Sequence, residues 1–122
     1  MSSDWLYGQV QSSLIAQNTP AVSTPVTAFV ATLRTEITHY RVVNISGATR
    51  TFRLSHQTTG AFNTSAVLEF DRTVSAGVPY IWGNTGPDSG ISIAEDETLM
   101  IRSDLTSGLV FSFYGKTQVR GR

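Results

Sequence analysis

Ile37-Thr-His-Tyr-Arg-Val-Val-Asn-Ile45, then Ser46-Gly47-Ala48, then Thr51-Phe-Arg-Leu-Ser55: the fold class is read from this stretch. β-Branched and aromatic residues fill its first segment, side chains that suit a pleated, half-buried surface. Strand side chains alternate between faces, so Ile37, Val43 and Ile45 are expected on one side, Tyr40 and Val42 on the other. Ser46-Gly47-Ala48 is a turn signal. Behind it Phe52 and Leu54 are expected to point inward and Arg53 outward.

The same grammar continues in both directions. Upstream, Leu14–Ala16 reads as a short strand broken at Asn18-Thr19-Pro20, and Val26–Leu33 as a second, although Ala28–Leu33 also fits a helical turn. Downstream, residues 57–65 form a loop, polar except for Phe62. In Val67-Leu-Glu-Phe-Asp71 the alternation puts Leu68 and Phe70 on one face and Glu69 on the other. Ser75-Ala-Gly77 turns the chain into Pro79-Tyr-Ile-Trp82, and Gly83–Gly90 reads as a surface loop. Ile91 and Ile93 anchor a short edge segment, and Glu95-Asp96-Glu97 is an acidic turn. Leu99 and Ile101 alternate in the next strand, and Leu109, Phe111 and Phe113 share one face of the last. The expectation is an all-β chain: a single antiparallel β-sandwich or jelly-roll-like barrel of about eight strands. Residues 1–13 are expected to form an extended N-terminal arm, 14–117 the sandwich domain and 118–122 a short tail.

Composition agrees. Ser and Thr supply 30 of 122 residues, and runs rich in Ala, Glu, Lys and Leu, which favour helices, are nearly absent. Nine basic residues balance nine acidic ones, which argues against a nucleic-acid partner. Lysine occurs once, at Lys116. There is no cysteine, which removes disulfides, thiol catalysis and cysteine–zinc sites, and two histidines cannot make a three-histidine metal centre. No run approaches the roughly 20 apolar residues of a membrane-spanning helix. The N-terminus lacks the basic start and apolar stretch of a signal peptide, so synthesis in the cytoplasm is expected.

Sites of chemistry are sparse. Ser89 in Gly86-Pro-Asp-Ser-Gly90 sits one position late for a nucleophile elbow and reads as a turn residue. Gly115-Lys116-Thr117 imitates the end of a P-loop, but position 110 is Val where the leading Gly belongs. Glu95, Asp96 and Glu97, with Asp88 and Asp104, lack the ligand spacing of a calcium loop and read as a solvated turn. His39 and His56 with Glu36 or Glu69 match a two-histidine, one-carboxylate site by count alone; structural histidines are the simpler reading. Asn44-Ile-Ser46 and Asn63-Thr-Ser65 are chance glycosylation matches. Arg41, Arg50, Arg53, Arg72 and Arg102 are expected to cover outer sheet faces, with Glu69 and Asp71 as partners. No cofactor or metal is expected. Tyr80 and Trp82, with Tyr114, offer an aromatic platform for a sugar ring, although a strand tryptophan more often packs a core. Trp5, Leu6 and Tyr7 stand together on a polar arm. They either fold back on the domain or anchor a neighbouring subunit.

The segment Tyr40–Leu54, with its Asn-Ile-Ser-Gly turn and Thr-Phe-Arg-Leu strand, resembles a hairpin of small β-sandwich virion proteins of tailed bacteriophages. Leu68-Glu-Phe-Asp-Arg-Thr-Val-Ser-Ala-Gly77, Ile93–Ser103 and Val110-Phe-Ser-Phe-Tyr-Gly115 are similar to later parts of such proteins. The likeness runs from about Thr35 to Gly115, while the long 83–90 loop and the first 25 residues depart from it. The resemblance implies a non-enzymatic structural component of the virion. It would be a head decoration or cement protein, or a neck, tail or fibre-associated one, with the major capsid protein or other virion subunits as partners. A homo-oligomer, trimer or dimer, is expected with it. A carbohydrate-binding, host-recognition module with Tyr80 and Trp82 as its platform is the alternative.

Overall fold

A computed structural model describes residues 13–58, 67–83 and 90–117. Among them the chain forms nine strands and no helix: β1 (Ser13–Asn18), β2 (Val26–Val30), β3 (Thr35–Asn44), β4 (Arg50–Gln57), β5 (Val67–Val74), β6 (Tyr80–Gly83), β7 (Ile91–Ile93), β8 (Thr98–Ser103) and β9 (Leu109–Thr117). The helical alternative for Ala28–Leu33 is not taken; β2 is a strand that ends at Val30. About eight strands were expected. Nine form, and β6 and β7, both marked in the sequence, share one edge of β3, at Tyr40–Trp82 and Ile37–Ile91 respectively.

The pairings nest. β4 pairs with β5, β3 with β6 and β7, β2 with β8 and β1 with β9, all antiparallel. The chain is therefore one long hairpin with its tip between β4 and β5. That ribbon is rolled so that β9 also pairs with β3 and β8 with β4. Two sheets result, β1-β9-β3-β6, with β7 on the same edge of β3 as β6, and β2-β8-β4-β5. Each sheet has one apolar face, and the two cover each other as a β-sandwich.

The core is aromatic at its centre. Phe52 of β4 meets Phe111 of β9 edge-on, with ring centroids 5.6 Å apart, and Tyr40 of β3 meets Phe113 at 5.8 Å. Ile37, Leu54, Ile93, Leu99, Ile101 and Leu109 fill the space around them. Burying each such side chain contributes about 1.5–3 kcal/mol relative to leaving it in water.

One expectation is corrected in β3. Simple alternation separates Ile37 from Tyr40 and Val42, yet all three are buried, while Ile45 is 60% exposed. A β-bulge between Ile37 and His39, opposite Tyr114 and Gly115, changes the phase of the strand. It brings Tyr40 and Val42 onto the inner face with Ile37, in place of Val43 and Ile45, which were expected there. The bulge demands a bare backbone across from it. A Cβ on Gly115 would collide with the Glu36 carbonyl oxygen and lie 3.0 Å from the Ile37 Cα. Gly115→Ala is therefore expected to cost about 2 kcal/mol or more in urea unfolding. Gly47→Ala, whose Cβ meets nothing within 4 Å, should stay within about 0.5 kcal/mol of the parent.

Candidate functional site

In β5 the alternation holds but the apolar side faces out. Leu68 is 42% and Phe70 55% exposed, whereas Glu69 is only 5% exposed. Its carboxylate lies between the sheets. Oε2 accepts the Tyr40 hydroxyl at 2.6 Å and the Tyr80 hydroxyl at 2.8 Å, and Oε1 accepts Arg72 Nε at 2.9 Å. Desolvating a carboxylate costs several kcal/mol, and three donors, one of them charged, offset it. Burial pushes the Tyr40 phenol far above its ordinary value, and the bond to Glu69 adds to the shift. Tyr80 moves the same way for the same reasons. Both phenols therefore stay protonated donors at neutral pH. Arg72 caps the cluster from the solvent side, its guanidinium 5.2 Å from the Tyr80 ring. A cleft of about 370 Å³ opens there between Phe70, Asp71, Arg72, Thr73 and Tyr80.

Two further polar clusters tie turns to strands. Asn44 is buried at the end of β3; its amide donates to the Ala48 and Val74 carbonyls at 2.7 and 2.9 Å. Its Oδ1 accepts Ser46 N and Oγ at 2.9 and 2.7 Å. The Asn44 sequon is thus a turn latch whose amide is fully engaged. In the acidic turn, Glu97 bends back so that Oε1 accepts Ala94 N at 2.9 Å and meets His56 Nε2 at 2.8 Å. Glu95 and Asp96 stay exposed. Among the described residues no three of His, Asp and Glu gather as a metal site.

The outer face of β1-β9-β3-β6 is different in kind. His39 and Tyr114, partners across β3 and β9, stack with centroids 4.6 Å apart and planes 4° from parallel. In the next row Arg41 lies opposite Ser112 on one side and Ile81 on the other. His39, Arg41, Ile81 and Tyr114 line a cleft of about 420 Å³. Arg41 is exposed and has no ion pair among the described residues, and Ile81 is 57% exposed. Gly83 pairs with His39 from the β6 side, and a Cβ there would strike the Thr38 carbonyl. The Thr38 hydroxyl lies 3.1 Å from the His39 Nδ1.

On the opposite sheet the arginines have partners. Arg53 forks onto Asp71, Nε at 2.7 Å and Nη2 at 3.2 Å, and lies 4.0 Å over the Phe70 ring. Arg102 stands 3.8 Å from the same Asp71. Arg53 and Arg102 are direct cross-strand neighbours, so Asp71 relieves a like-charge pair. The Arg53 hydrogen bond holds the Asp71 carboxyl below its ordinary range. The partnership of Arg72 with Glu69 and of Arg53 with Asp71 follows the sequence reading.

Tyr80 and Trp82 lie on the inner side of β6, half-buried against the core, with Trp82 stacked 5.1 Å from Tyr40. Tyr114 is on the outer face of the same sheet, so these three aromatic residues do not share one surface. Trp5, Leu6 and Tyr7 lie outside the described residues, as do Asn63 and Ser89. Sequence reasoning missed Glu69 as a hub and the His39–Tyr114 pair. Alternation separates faces without saying which is inner, and the stacked pair is joined only by the register of two distant strands. Comparison of the chain with protein families, curated proteins and solved structures finds no match.

Two measurements check this geometry. Glu69→Ala strands the buried Tyr40 hydroxyl and is expected to cost about 2–4 kcal/mol by urea unfolding. Tyr40→Phe, which leaves Glu69 two donors, should cost about half as much. The second concerns acid. The Ala94 amide and then His56 hold Glu97 below its ordinary value of 4.5. A carboxyl lowered on folding contributes stability that is complete above the unfolded value and vanishes as pH falls through the folded one. Glu97→Gln should therefore melt earlier than the parent at pH 6, and the two should converge well below pH 4.5.

Proposed function

We propose that this chain is a non-enzymatic structural subunit of a virus particle, a decoration or cement protein that bridges capsomers on the head of a tailed bacteriophage. The observation that carries the reading is that both outer faces of the sandwich present large apolar side chains. Leu14 and Ile81 are exposed on one sheet, Leu68 and Phe70 on the other. A subunit held between neighbours needs contact surface on two sides, and permanent interfaces are more apolar than ordinary surface.

The strand order supports the same reading. We take β1-β9-β3-β6 facing β2-β8-β4-β5 as a jelly roll, with β6 and β7 together in one strand position, a layout used by viral capsid and lectin domains. The likeness of Thr35–Gly115 to small phage virion proteins points the same way. In this proposal Trp5, Leu6 and Tyr7 anchor the chain on the major capsid protein, and further copies of the chain complete a dimer or trimer. The subunit is made in the host cytoplasm and ends in the virion.

Quantitative mass spectrometry of purified particles tests it, with hundreds of copies per particle expected beside the major capsid protein. A dozen or fewer would move the subunit to the neck, tail or fibres, and absence from particles would overturn the virion reading. Removing residues 1–8 is expected to weaken capsid attachment at least tenfold; full attachment of the shortened chain would end the anchor role.

A further inference from the structure

We infer that the cleft over His39, Arg41, Ile81 and Tyr114 is a binding site for a carboxylate-bearing sugar residue, a uronic acid unit of an acidic polysaccharide. The inference does not depend on where the subunit sits in a particle. Its volume, about 420 Å³, falls at the small end of ligand pockets. Three features specify the occupant. The stacked His39–Tyr114 pair makes an aromatic wall. A pyranose ring laid there presents its C–H face to an aromatic surface, with Ile81 as the apolar floor. Arg41, the exposed guanidinium of this cleft, has no carboxylate partner among the described residues, unlike Arg53 and Arg72. A planar fork of donors matches one carboxylate in two hydrogen bonds.

The surroundings narrow the choice. Phosphate sites gather several donors around one anion, commonly backbone N–H groups at a helix start or nest, and this cleft offers a single fork. An extended peptide would bind a sheet through the free edge of a strand. Here His39, Arg41 and Tyr114 stand on β3 and β9, each paired on both sides; β6, which carries Ile81, is at the sheet edge, and a poly-glutamate comparison probes it. The cleft presents one guanidinium, one aliphatic side chain and the aromatic pair. A ring with one carboxylate uses all of them.

Titration of the full chain with an oligogalacturonate of four to six units, by calorimetry at low salt, tests the site. A neutral glucose oligomer of equal length and a short poly-glutamate peptide serve as comparisons. Saturable binding of the uronate alone is expected, weakened by added salt and reduced roughly ten- to a hundredfold by Arg41→Ala. Arg41 is exposed, so the variant should melt with the parent, and a matching melting curve ties any loss to the ligand. Equal binding of the neutral oligomer, preference for the peptide, indifference to Arg41→Ala, or no binding of the uronate would each overturn the inference.

Discussion

The carboxylate of Glu69 ties the two sheets together along one open side of the sandwich. Strand β5 is an edge strand of one sheet and β6 an edge strand of the other, and no backbone ladder joins them. Glu69 bridges the gap by accepting hydroxyls from Tyr80 on β6 and Tyr40 on β3, while Arg72 balances its charge. The aromatic rings beneath depend on that bridge. Tyr40 stacks on Trp82 and touches Phe113, and Tyr80 packs on Phe52, so the hydroxyls held by Glu69 also fix the position of the core's largest side chains. A buried charge is a costly way to join two sheets, and a well-packed leucine would often serve stability as well. What the charge adds here is direction: hydroxyls from β3 and β6 both meet one carboxylate oxygen on β5, and Arg72 meets the other from the same strand.

Once Glu69 is inside, the strand's alternation forces Leu68 and Phe70 outside. The exposed apolar surface of β5 is thus a consequence of the buried carboxylate. Phe70 is partly sheltered by the Arg53 guanidinium, itself held by Asp71. On the other sheet the bulge in β3 has a comparable effect. By turning Tyr40 inward it leaves His39 and Arg41 on the outer face, beside Tyr114 and Ile81. Both surfaces on which a functional reading rests are therefore set by exceptions within strands. A regular strand with an apolar inner face would have produced neither.

Much of the fold is legible in the residues themselves. The nine strands fall where β-branched and aromatic alternation put them, and Phe52, Leu54, Leu99, Ile101, Leu109, Phe111 and Phe113 are buried. Turn residues mark the boundaries: Gly77 has a positive φ of 78°, and Asp96 and Ser107 also adopt left-handed conformations. The candidate sites are far less legible. The Arg72–Glu69 pair is three residues apart and easy to suspect, but Tyr40 lies 29 residues from Glu69, and Tyr114 lies 75 from His39.

The sequence by itself determined that this chain is all β, where its strands run and, wherever a strand is regular, which alternating residues share a face. Those properties follow from the two-residue period of an extended backbone and from local turn chemistry. Tertiary structure decided which face is inner in β5, where β3 slips its phase, and which distant side chains meet. Each of these depends on free energies summed over several strands at once. A bulge is worth forming when it buries a tyrosine, and a carboxylate can be buried when two hydroxyls and a guanidinium arrive to receive it.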